Sequence, residues 1–209
     1  RGRGGKVVGL AAKAEKGTVG ELVTLHSAAA GAEAFGTDSG GTGMTGLLRL
    51  LFANGASEVR AVRVADAGAL SDYTAAFGVL AGCEGVGITV CDSPSTEVHQ
   101  ALRGSVEKAS QNRRERIAVV GGSGESVTEM TAHAAALNHE RMILVGPDVL
   151  DADGKQQAAV LGAAALAGLL AAQRDPALPV NGAALQGLGG AARALEESEI
   201  DALVRGGVT

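Results

Sequence analysis

Few residues in this chain of 209 have the type and spacing to do chemistry. Gly41-Thr42-Gly43-Met44-Thr45-Gly46 spells G-x-G-x-x-G, and Asp66 follows 20 residues on, at the end of the next strand. In a dinucleotide fold such glycines let the backbone approach a pyrophosphate at a helix N-terminus, while the acid takes a ribose hydroxyl. That site needs a strand running straight into the glycines. Here a short helix ending at Phe35 and a loop come first. With 32 glycines in the chain, such a spacing arises by chance, and it reads as a loop leading into a helix. A nucleotide-binding α/β enzyme using residues 41–46 and Asp66 is the alternative reading. A passive binding module with a pocket at the carboxyl ends of the strands is a third.

The remaining groups read as structural. Gly121-Gly122-Ser123-Gly124 sits between a strand and a helix, but no Lys-Ser/Thr pair closes it as a phosphate loop. Glu125 stands where a nucleophile elbow centred on Ser123 needs its second glycine, so a tight connection is expected. His26, His99, His133 and His139 show no ligand spacing, and all four read as surface or edge residues; His133 and His139, six apart, lie on different faces of a helix. Asp148, Asp151 and Asp153, before Gly154, lack the calcium-loop spacing and its closing Glu, and read as a solvated turn ahead of a helix. Cys83 and Cys91 have no clustered zinc partners and read as small buried hydrophobes. Arg113-Arg114-Glu115-Arg116 reads as a solvated charge run. No catalytic, cofactor-binding or metal-binding residue is assigned, and the chain is read as a non-enzyme.

The elements that would position these groups are plain in the apolar pattern. Strands are expected over residues 6–12, 22–26, 59–64, 87–91, 117–120 and 142–145. Helices are expected from the Ser27 cap to Phe35, over 44–54 with Gly55 beyond, over 70–80, from Ser93-Pro94 through Asn112, from a Ser126/Glu129 capping box to Asn138, and over 155–173. A short last helix is expected over 198–205. From Glu58 onward, strand and helix alternate, and the strands are apolar runs. The fold class is α/β: a mostly parallel or mixed sheet flanked by helices, with a helical Ala/Gly-rich C-terminal extension. Residues 1–150 form the core, and residues 151–209 pack as an extension on the same domain.

Composition narrows the function. Hydrophobic residues make up 46% of the chain and aromatics 2%, so the core must come from Val, Leu, Ile and Ala. A net charge of −5 and few aromatics offer no footprint for nucleic acid. The longest apolar stretch, residues 158–172, is about 15 residues, too short to span a bilayer. The chain opens at Arg1 without Met and ends on Arg205-Gly206-Gly207-Val208-Thr209, as a piece of something longer would.

Taken in order, the segments resemble the contractile tail sheath proteins of phages and prophage-like elements. The likeness runs through Gly4-Gly5-Lys6-Val7-Val8-Gly9-Leu10-Ala11-Ala12-Lys13-Ala14-Glu15-Lys16-Gly17, Ala34-Phe35-Gly36, and Leu51-Phe52-Ala53-Asn54-Gly55-Ala56 into Val59-Arg60-Ala61-Val62-Arg63-Val64. It is strongest in Arg141-Met142-Ile143-Leu144-Val145-Gly146-Pro147-Asp148, and it continues through residues 165–176, Asn181-Gly182 and residues 199–208. The resemblance implies a structural subunit that self-assembles into hexameric rings stacked around a tail tube, between baseplate and tail terminator. Contraction of these rings drives the tube through a cell envelope. It implies no cofactor, no nucleic acid and no membrane insertion. The expected location is a virion tail or phage-tail-like particle, by way of the host bacterial cytoplasm during assembly. Family members carry an N-terminal arm and a further C-terminal domain, so these residues match the core portion.

Overall fold

A computed structural model describes residues 5–38, 40–151, 153–173, 188–191 and 208–209. The chain forms β1 (Val7–Lys13), β2 (Leu22–Leu25), α1 (Ala28–Phe35), α2 (Met44–Ala53), β3 (Val59–Val64), α3 (Leu70–Ala81), β4 (Val86–Cys91), α4 (Thr96–Gln111), β5 (Ile117–Gly121), α5 (Val127–Leu137) and β6 (Met142–Val145). Then follow β7 (Val149–Asp151), β8 (Gln156–Gln157), α6 (Ala159–Ala172) and β9 (Leu188–Ala191). Six strands make one mixed sheet in the order β2-β3-β1-β4-β5-β6, parallel throughout except for β2 on the edge. This is the expected α/β class.

β1 is apolar along its length because it lies between β3 and β4 and is covered on both faces. Val8, Leu10 and Ala12 point into a core shared with α2 and α6, while Ala11 points into a second core under α3, α4 and α5. The two-residue period of the strands splits the others the same way: Ile88 and Val90 against Cys91, and Val119 against Ala118 and Val120. The result is a three-layer sandwich with a core on each side of the sheet.

Local signals set several boundaries. Ser27 Oγ accepts from Ala30 N at 3.1 Å to open α1. The Ser126/Glu129 capping box is present, with bonds of 2.7 and 3.2 Å. Other boundaries differ from expectation. α4 begins two residues later, at Thr96, with Ser95 in the N-cap position but making no side-chain cap bond, while Ser93 Oγ accepts from Ser95 N at 3.2 Å. The long helix begins at Ala159 rather than residue 155 because Gln156 and Gln157 pair with β7. A small antiparallel sheet, β8-β7-β9, therefore replaces the expected solvated turn and part of the expected helical Ala/Gly-rich extension. Inside it Asp151 Oδ1 takes the amides of Asp153 and Lys155, both at 2.9 Å. Val208 and Thr209 run parallel along the free edge of β6. The expected helix over 198–205 lies outside the described residues.

Candidate functional site

The parallel strands reverse their winding between β1 and β4: the chain leaves β1 for β3 on one side, then returns past β1 to β4. Loops diverge at the carboxyl ends of such neighbouring strands, which is where α/β sheets keep their ligand crevices. A cleft of about 640 Å³ opens there, lined among others by Lys13, Asp38, Thr45, Tyr73 and Asp92.

The acids in this cleft are already engaged by the chain itself. Asp92 accepts from the Tyr73 hydroxyl at 2.6 Å and from Lys13 N at 3.0 Å, tying the ends of β1 and β4 to α3. Burial raises the Asp92 carboxyl above its ordinary range, and burial followed by the Asp92 charge holds the Tyr73 phenol far above its own, so Tyr73 stays a donor. Asp38 fills the end of α2. Its carboxylate collects the amides of Gly41, Gly43 and Gly46 at 3.0, 2.5 and 3.2 Å.

The place a phosphate would take on the 41–46 motif is thus held by the protein's own anion. Gly46 is glycine because a Cβ there would collide with the Gly41 carbonyl. Asp66, the supposed ribose acid, is exposed and pairs with Arg63 at 3.1 Å. Replacing Asp38 with Ala is expected to cost about 1–2 kcal/mol in urea unfolding, with Asn recovering part of it.

A second polar cluster lies between α4 and α5. His99 Nε2 is 2.6 Å from the Ser93 carbonyl, His99 Nδ1 is 2.7 Å from His133 Nε2, and His133 Nδ1 is 3.0 Å from both oxygens of Glu125. His99 and His133 are 0% and 3% exposed, which corrects the reading of all four histidines as surface or edge residues. The signal that finds them is periodicity. His99 shares a helical stripe with Leu102, Val106 and Ala109, and His133 shares one with Met130, Ala134 and Leu137. Burial lowers the His99 imidazole to about 4.

Two further readings are corrected. Arg116 is not solvated: at 4% exposure it donates to the carbonyls of Leu80, Cys83 and Arg114. Cys91 is buried, and burial pushes its thiol up to about 12, but Cys83 is only half-buried, with Sγ 3.4 Å from the Val79 carbonyl. Gly121 to Gly124 form the tight connection expected, with Gly124 N donating to Asp148. Among the described residues, no group of three or more His, Cys, Asp or Glu is placed to hold a metal ion. Nor is any helix there long and apolar enough to cross a membrane.

The model of the phage tail sheath protein central domain matches residues 65–209, from the end of β3 onward. The chain belongs to the phage tail sheath family. Solved sheath structures share its fold over almost its whole length. A sheath tail protein of Desulfitobacterium hafniense superposes with a TM-score of 0.75 at 12% identity, covering 99% of this chain and 68% of that one. One from Listeria innocua gives 0.72 at 12% identity, over 100% and 65%. A chain in the six-fold symmetrised baseplate of the anti-feeding prophage gives 0.65 at 12% identity, over 98% and 57%. This sheath chain therefore spans about two-thirds of the first two relatives and less of the third. A search of the curated proteins gave no match. The β1–β3 segment, which precedes the family match, belongs to the shared fold of the sheath structures.

Proposed function

We propose that this chain is the structural core of a contractile tail sheath subunit. The observation that carries the reading is the family match over residues 65–209. In this reading copies of the protein assemble into hexameric rings stacked around a tail tube, in contact with the tube, the baseplate and the tail terminator. It works in a virion tail or phage-tail-like particle, assembled in the host bacterial cytoplasm. It carries out no catalysis, takes no cofactor, and needs no nucleic acid or membrane insertion. Residues 1–150 and 151–209 act as one body, supported by the packing of α6 into the same core as β1, β4 and α2. Contraction exchanges one set of contacts between subunits for another while each body stays nearly rigid.

A three-layer α/β/α body suits such a role. Its charged cleft residues Asp38 and Asp92 are spent on joining its own loops, which stiffens the body and leaves faces and linkers for assembly. Electron microscopy of the full-length gene product tests the reading. Rings or tubes of uniform diameter are expected, whereas persistent monomers at high concentration and high salt would contradict it.

A further inference from the structure

The hydrogen bonds of the row Ser93–His99–His133–Glu125, buried up to His133 and half-buried at Glu125, can be counted proton by proton. The Ser93 carbonyl only accepts, so His99 Nε2, 2.6 Å away, carries a proton. The 2.7 Å contact between His99 Nδ1 and His133 Nε2 needs a second, and the 3.0 Å contacts between His133 Nδ1 and the Glu125 carboxylate need a third. Two neutral imidazoles supply two protons, and an ionised carboxylate supplies none. With only two protons, two lone pairs would face each other at hydrogen-bond distance in a buried site, which is costly at low dielectric.

We infer that the folded protein holds one additional proton in this row, on His133 against Glu125, and that this proton fastens the loop between β5 and α5 onto α5, whose His133 in turn reaches α4 through His99. The surroundings decide which ring carries it. His99 is fully buried and faces no carboxylate, and burial keeps it neutral down to about pH 4. His133 touches a carboxylate directly. Gly122 permits that contact, because a Cβ there would occupy the space of the Glu125 carboxylate.

Other charged groups nearby are engaged elsewhere. Glu129 accepts from Ser126 N, Asp148 accepts from the amides of Gly124 and Ala159, and Arg103 donates to the Ala136 and Leu137 carbonyls at the far end of α5. Glu97 is exposed on the first turn of α4, and Glu107 pairs with His139 at 3.2 Å. Both ring nitrogens of His133 are committed, so it is no base for Ser123; its role is to hold two elements together.

Stability should respond to pH through His99. An unfolded histidine takes up its proton below about pH 6.5. There the unfolded chain protonates His99 while the folded protein keeps it neutral, so stability falls toward pH 4.

Histidine-labelled nitrogen NMR of the 209-residue protein at about pH 7.5 tests this directly. The expected pattern is His133 as an imidazolium and His99 as a neutral ring with its proton on Nε2. In Glu125→Gln the amide can donate to His133 Nδ1, supplying the third proton without charge, so His133 should become a neutral Nε2–H ring while His99 is unchanged. A neutral His133 in the wild type, or an imidazolium in both proteins, would overturn the assignment.

Discussion

Replacing Gly168 with Leu is expected to lower the unfolding free energy by about 3 kcal/mol or more, the upper end of the overpacking range. α6 is apolar all round and packs against both the sheet and the neighbouring α2. At Gly168 the two helices approach so closely that a Cβ would stand 2.5 Å from the Leu51 carbonyl oxygen and 3.1 Å from Leu51 Cα. Both atoms are backbone, so the strain cannot be relieved by turning a side chain, and α2 and α6 must separate. Leu47, Leu48, Leu50 and Leu51 line the core that this separation would open. Gly78 and Gly104 supply the contrast, since each lies within a helix where an added Cβ would meet nothing within 4 Å. Changing either to Ala should stabilise the protein by about 1 kcal/mol through helix propensity. Urea melts of the three variants check both signs.

Replacing Arg116 with Met should cost about 3 kcal/mol, the sum of lost charged hydrogen bonds partly offset by the retained apolar stem. One guanidinium closes the end of α3 by donating to Leu80 O at 2.7 Å and Cys83 O at 2.8 Å, while Nε holds Arg114 O at 3.1 Å. Leu80 itself is 1% exposed, so water does not readily replace the bond to its carbonyl. Lys should restore only part of the loss, since an ammonium cannot span three carbonyls in the fixed fork of Arg. Hydrogen exchange at the amides of Gly82 and Cys83, which bond back to Gly78 and Leu80, should quicken most in the Met variant. Unchanged exchange there would show that α3 does not depend on this cap.

These two sites differ in how far the sequence announces them. The strands of the main sheet are legible because each is a short apolar run between turn residues, as in residues 59–64 and 117–120. The Ser126/Glu129 box is legible because both its partners lie within one helical turn. Arg116 reads as solvated because its neighbours are charged, and its true acceptors, Leu80 and Cys83, lie 36 and 33 residues away. His99 and His133, 34 apart, meet only after two crossovers bring α4 against α5. The small β7–β8–β9 sheet offers no apolar alternation to read, since its strands are two to four residues long and one of them is Gln156–Gln157.

The candidate site misleads for a related reason. Residues 41–46 satisfy a phosphate-loop spacing, but what fills that loop is Asp38, a side chain only a few residues upstream. The glycines answer a demand for close backbone approach, and the spacing alone does not say what approaches. Family membership shows in the order of many modest segments and is carried by the match over residues 65–209.

The most direct test of a sheath role uses an antibody raised against this chain. It would be applied with gold label to particles sedimented from the cells that make the protein and viewed by electron microscopy. The expected result is label repeating along the outer wall of tail-like particles from baseplate to the opposite end. Label confined to the soluble fraction, or absent from the walls of tails that are themselves intact, would contradict the account.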